Sequence, residues 1–270
     1  VAFANKYLTD QNYAAIYKKQ GQDPNEKKMT KPSITPIVMN RDVTSDFLSE
    51  IQNSNVKPIE PVFLDFKKDL SQLKAKSNIP VLYKQNTSND LFQLIYVFDM
   101  GNNNDKVLGT AFDYIDYLGT SDMTPEQLKS EFYRLACTFR VVPGNERTYV
   151  LLSGLNENMP EAMKLFEKLM ADAQVNKEAY TNMVADILKS RKDAKLNQMQ
   201  NFRRLMSYGM YGPKSPATNI LTEAELQNMD PQELIDRIHN QNSYQHRILY
   251  YGPTSEKELL AIINKNHQAP

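Results

Sequence analysis

Leu91 to Phe98 reads Leu-Phe-Gln-Leu-Ile-Tyr-Val-Phe, a β-rich run fenced by the turn formers Asn89 and Asp90 before it and Gly101 after it. A strand of that kind wants neighbours on its edges and cover on a face, so the segments around it decide the fold. Val81–Tyr83 follows the turn Asn78-Ile79-Pro80, and Val62–Phe66 reads as a short strand ahead of it. After the long strand, residues 104–118 carry Val107, Leu108, Ala111, Ile115 and Leu118 at helical spacing. Thr124-Pro125 opens a further helix, a hydroxyl cap followed by proline at the first position, which runs to about Ala136.

Two strands follow, Thr138–Val142 and Arg147–Leu152, joined by Pro143-Gly144-Asn145-Glu146 as a hairpin. Helical segments are expected over 160–171, over 177–208 with a possible break, and over 222–226 and 231–240. Thr222 and Asp230 cap the last two. His246–Tyr251 is the last strand and 255–264 the last helix. Strands, helices, a hairpin, long helices, then strand and helix make an α+β order: a mostly antiparallel sheet covered by helices on one face. No glycine-rich phosphate loop of the G-x-G-x-x-G or P-loop kind occurs.

The N-terminal part differs. Val1–Tyr7 continues a helix, Thr9–Asn12 is turn chemistry, and Tyr13–Lys19 reads as a strand stopped at Gly21. Asp23-Pro24, Lys31-Pro32, Thr35-Pro36 and Lys57-Pro58 punctuate residues 22–60, within which 44–53 can form a short helix capped by Thr44 or Ser45. Gly and Ser are too few for a flexible linker, so this stretch reads as an ordered connector lying on a larger body. The organisation expected is therefore 1–21 as the end of a preceding unit, 22–60 as a connector and 61–270 as one α+β unit. The opening at Val1, without an initiator Met, reads as a piece of a longer protein.

Charge excludes some partners. With 32 basic and 32 acidic side chains the chain has no field to draw it to nucleic acid or anionic lipid. No apolar run is long enough to span a membrane. The one cysteine, Cys137, cannot form an internal disulfide and reads as a small buried apolar residue on a strand. The three histidines, His239, His246 and His267, have no helical ligand spacing. Asp113 and Asp116 stand three apart on one helix, where paired carboxylates can hold a hard cation, although a solvated face is the plainer reading. Tyr114, Tyr117, Tyr133, Tyr149, Tyr250 and Tyr251 could line a peptide-facing wall.

Tyr117-Leu118-Gly119-Thr120, the capped helix after it, Phe139–Val142 with Gly144, and Thr148–Leu155 with Asn158 together resemble one repeat of the pitrilysin or insulinase family of zinc metallopeptidases, M16. The likeness extends to the mitochondrial-processing-peptidase type of repeat. In that family an H-x-x-E-H helix runs into Gly-Thr; two histidines hold zinc and the glutamate activates water. Aligned on Gly119-Thr120, the resemblance puts Thr110, Asp113 and Tyr114 at those three places. The third ligand, a downstream glutamate, falls at Ala185, with Glu178 matching an earlier glutamate. The resemblance therefore implies a catalytically degenerate repeat with no metal of its own, in a parent chain that carries zinc in an upstream repeat and cleaves peptides. It implies the remaining repeats and peptide substrate as partners, and a periplasmic or other extracytoplasmic bacterial compartment. The alternative is a structural or interaction module of a wholly inactive M16-like protein.

Overall fold

The computed structural model describes residues 2–8, 12–18, 20–21, 27, 29–37, 39, 41 and 43–267. The turn expected at 9–12, the end of the strand expected at Tyr13–Lys19 and Asp23-Pro24 fall wholly or partly outside these residues. The chain divides into two compact units, Val1–Pro61 and Val62–Pro270.

In the first unit, helix α1 spans Ala2–Tyr7 and helix α2 spans Asp46–Asn53. Of the two candidate caps for α2, Ser45 takes the role, its hydroxyl accepting from the Leu48 N–H at 3.2 Å. Residues 13–18 form no strand. Their aromatic and β-branched content favours extension, but a strand without a ladder partner has nowhere to place its backbone groups except water.

The second unit holds a six-stranded sheet. The strands are β1 (Ser71–Lys74), β2 (Pro80–Gln85), β3 (Leu91–Phe98), β4 (Cys137–Pro143), β5 (Thr148–Leu155) and β6 (His246–Gly252), in spatial order β1-β2-β6-β3-β5-β4. Only β2 and β6 run parallel. The helices are α3 (Leu108–Tyr114), α4 (Pro125–Arg134), α5 (Met159–Asp172), α6 (Lys177–Ala194), α7 (Gln198–Tyr211), α8 (Glu223–Asn228), α9 (Gln232–His239) and α10 (Glu256–Asn266).

Alternation along the strands shows where the core sits. Val81 and Tyr83 of β2, Phe92, Leu94, Tyr96 and Phe98 of β3, and Ile248 and Tyr250 of β6 are buried under the helices. The opposite face carries the row Leu82, Leu249, Ile95, Leu151, joined strand to strand by register and only half-buried within this unit. The fold is α+β, mostly antiparallel, with helices on one face.

Two expectations change. Val62–Phe66 is not a strand; those side chains are exposed, and the Asp65 carboxylate accepts from Lys67 N–H while Asp69 accepts from Asp65 N–H, a local turn that competes with extension. The first strand lies instead at Ser71–Lys74, at the sheet edge, where one apolar residue, Leu73, is enough. The helix read over 104–118 is shorter, seven residues and then a tight turn of 3-10 helix at Ile115–Tyr117. The possible break expected within 177–208 is present, and the segment forms two helices. The break comes at 195–197, where the Asn197 side chain accepts from Gln200 N–H and starts α7 afresh.

Candidate functional site

The α3 face comes first, because the resemblance aligns it with the helix on which the family holds its metal, while implying none for this repeat. Tyr114 is fully buried, and its hydroxyl does two jobs: it donates to the Asn176 carbonyl at 2.5 Å and accepts from the Asn176 N–H at 2.8 Å. Its ring meets Tyr180 of α6 edge-on at 5.8 Å between centroids. Burial first pushes the Tyr114 hydroxyl pKa up, and the Asn176 backbone bond partly offsets it. Asn176 in turn caps α6 through its side chain, which accepts from Ala179 N–H. Tyr114 is thus a strut between α3 and the start of α6.

Thr110 and Asp113 line a small cavity of about 220 Å³ between α3 and α6, together with Lys106, Ile187 and Arg191. Lys106 pairs with Glu225 at 2.6 Å, and Arg191 donates to the Leu221 carbonyl at 2.6 Å. Desolvation first, then the Asp116 charge, raises the pKa of Asp113. Ala185 is exposed on α6 and does not line this cavity, and Glu178 is exposed at the first turn of that helix. Asp116 does not join Asp113 in a shared hollow; it lines a separate groove beside β4.

These residues do not fit zinc. The hydroxyl at Tyr114 is committed to the backbone, threonine is a poor ligand, and two cationic side chains border the cavity. Among the described residues, no three His, Cys, Asp or Glu side chains converge in a metal-holding group.

The Gly119-Thr120 turn has a structural role of its own. A Cβ on Gly119 would lie 2.2 Å from the Met123 carbonyl oxygen. That close turn is held by Thr120 N–H donating to Met123 O at 2.9 Å, and by Gln174 N–H donating to Gly119 O at 3.0 Å. It ends in Thr124, which with Gln127 forms the reciprocal capping box of α4. The glycine therefore aims α4 at the sheet edge.

That edge is the second candidate surface. β4 closes the sheet with one side unpaired. The bonds Leu155 N–H to Ala136 O and Gly144 N–H to Arg147 O fix the parity of the β4–β5 ladder. Thr138, Arg140 and Val142 turn their backbone groups toward β5, so Phe139 and Val141 turn theirs outward. Beside this edge runs a groove of about 650 Å³ lined by Ile115, Leu118, Leu128, Phe132 and Phe139, with Asp116 and Lys129 also on its walls. Cys137 belongs to the same wall; it is buried, and burial pushes its thiol pKa up.

The tyrosines divide. Tyr114 and Tyr250 are core residues, Tyr117 and Tyr133 are exposed near α4, and Tyr149 and Tyr251 stand on the open sheet face. Sequence reasoning kept the histidines apart; the fold brings His246 and His267 into contact, 2.8 Å between ring nitrogens. No spacing rule could have shown it, because they meet only when α10 returns along the sheet.

No protein-family model matches the sequence, and no curated protein matches it. Solved structures do. One is an M16 peptidase inactive domain from Pseudomonas fluorescens, 14% identical, with a TM-score of 0.63, covering 75% of this chain and 52% of that one. Another is the periplasmic protease PqqL from Escherichia coli, 14% identical, TM-score 0.63, covering 89% of this chain and 26% of that one. A third is the ferredoxin protease FusC, solved with Arabidopsis ferredoxin, 11% identical, TM-score 0.64, covering 79% and 25%. The chain has the fold of an M16 peptidase domain. It spans about half of the Pseudomonas structure and about a quarter of PqqL and FusC.

Proposed function

We propose that this chain is a non-catalytic repeat of a larger zinc-dependent peptidase of the insulinase type, one that binds unfolded peptide and walls the chamber in which another repeat cuts it. What carries the reading is the free edge of β4 beside an apolar groove. The outward N–H and C=O groups of Phe139 and Val141 can pair with an extended chain, and the groove beside them, bordered by Phe139 and the exposed Tyr133, supplies contact for its side chains. Backbone pairing reads extension and not sequence, which suits a protein that takes unfolded substrates.

The degenerate helix supports the non-catalytic part. Where the family's chemistry needs imidazoles, this chain has a buried phenol braced on a backbone. The remaining repeats of the parent chain would cover the unpartnered apolar surfaces. Chief among them is α7, none of whose residues is buried and whose Met199, Phe202, Leu205, Met206 and Met210 are exposed. Zinc belongs to an upstream repeat, and the compartment is extracytoplasmic, in keeping with the periplasmic setting of PqqL.

The test is binding of a labelled unfolded peptide by fluorescence anisotropy, with zinc present and the peptide recovered for mass spectrometry. The account expects saturable binding and an intact peptide. Val141→Pro should abolish binding while leaving the fold, because residue 141 gives no bond to β5. Binding unaffected by that substitution would reject the β4 edge, and zinc-dependent cleavage would reject the non-catalytic reading.

A further inference from the structure

Between the sheet and the helices α5 and α10, away from the α3 cavity, lies a buried chain of ionisable groups. His246 at the start of β6 has Nδ1 2.7 Å from the Tyr244 carbonyl oxygen. Its Nε2 lies 2.8 Å from Nε2 of His267, the residue that follows α10. Nδ1 of His267 lies 2.5 Å from Oε1 of Glu167 on α5. Oε2 of Glu167 accepts from the Asn242 side chain at 2.9 Å. His246, His267 and Glu167 are all buried. Tyr96 of β3 packs its ring on His267 and Phe98 packs on His246.

Geometry fixes the protons. A carbonyl oxygen only accepts, so His246 carries its hydrogen on Nδ1 and offers a lone pair at Nε2. The nitrogen facing it, Nε2 of His267, must then carry the hydrogen of the shared bond. One more hydrogen lies between Nδ1 of His267 and Glu167. Counted together, the two imidazoles and the carboxyl hold three hydrogens and no net charge, the condition under which such a group tolerates burial. A fourth proton would have to go on Nε2 of His246. That would set two N–H groups head to head at 2.8 Å, and the contact between the rings would have to open.

We propose that Glu167, His267 and His246 form a proton-counting latch that seats the C-terminal end of α10 on the sheet and releases it on acidification. It stands apart from the peptide reading. The other charged or titratable groups at this place are Tyr96 from β3 and, on the groove between α5 and α10 above Glu167, Glu161, Lys164, Lys168, Asp172, Glu258 and Lys265. Burial first, then the Glu167 carboxylate, raises the Tyr96 hydroxyl well above the ordinary phenol range, so it stays protonated while the latch titrates.

The direction of the pH effect follows. Burial is the largest influence on His246 and lowers its pKa; the Tyr244 carbonyl works against it, His267 adds to it and Glu167 works against it. The opened state takes a proton at about 6.5, the ordinary histidine value. The closed state takes it only at lower pH, so the latch is fully closed above about 6.5 and weakens below it.

Amide hydrogen exchange across a pH series tests this, read as protection factors so that intrinsic exchange cancels. The His267 N–H, bonded to Ile263 O at 2.8 Å, reports the latch, and β3 amides serve as reference. Protection of His267 should hold down to about pH 6.5 and then fall by up to about tenfold per pH unit, with β3 unchanged. His246→Gln keeps an acceptor for the His267 N–H but cannot be protonated, so its profile should be flat. Nitrogen-15 shifts of the imidazoles in the unmutated chain give an independent readout. They should show His246 neutral with its hydrogen on Nδ1 at neutral pH. Protection independent of pH, an unchanged fall in His246→Gln, or His246 carrying a proton on both ring nitrogens at neutral pH would each overturn the proposal.

Discussion

Replacing Tyr114 with Phe tests whether that residue is part of the scaffold. The ring and its contact with Tyr180 remain; only the hydroxyl goes. Two hydrogen bonds are lost, one given and one received, both with the backbone of Asn176, which lies 62 residues away. Each such bond contributes about 0.5–1.5 kcal/mol net, and a partly buried N–H and C=O left without a partner adds to the loss. Asn176 is only half-buried, so water can reach it in part, and a total near 2–3 kcal/mol is expected. For a unit of this size that lowers Tm by roughly 4–12 °C. Urea unfolding of the two forms measures it directly, as a shift in midpoint at constant slope. A loss below about 0.5 kcal/mol would refute the argument, because it would mean that Tyr114 carries no structural burden.

Other consequences follow from the same region. Gly119→Ala should destabilise by about 1–3 kcal/mol even though alanine is nearly as small, since the added carbon meets a backbone oxygen that cannot rotate away; an unchanged melting temperature would contradict this. Asp113→Asn should raise thermal stability at neutral pH. The folded pKa of Asp113 is raised, so its ionised form disfavours folding above the ordinary aspartate range, and the gain should vanish below about pH 4. A gain that persists at low pH would show that charge is not its cause.

Much of the sheet was legible because its signals are local. Leu91–Phe98 announced a strand by composition, and the observed β3 covers those residues. Thr124-Pro125 and Thr222 announced helix starts by capping chemistry that the structure shows in full, down to both reciprocal bonds. Val62–Phe66 misled for a physical reason: apolar content alone cannot make a strand when Asp65 and Asp69 close a turn on it and no partner strand is present. β1 was missed because an edge strand with one apolar residue has almost no periodicity to read.

The candidate site was less legible. Thr110 and Asp113 do share a cavity, which motif spacing along one helix could anticipate. Ala185 lies elsewhere because a position 75 residues downstream depends on helix register, which sequence spacing does not fix. The β4 edge and the His246–His267 contact depend on which strand ends the sheet and on how α10 returns, properties of topology and not of any segment.

The central claim is that this chain holds extended peptide along β4. Backbone amide exchange of the unmutated chain, recorded with and without an unfolded peptide, tests it most directly. The account predicts that the amides of Phe139 and Val141 become protected on addition while those of Thr138 and Arg140, already bonded to β5, change little. Protection gained elsewhere, or none at peptide concentrations that saturate binding, would contradict it.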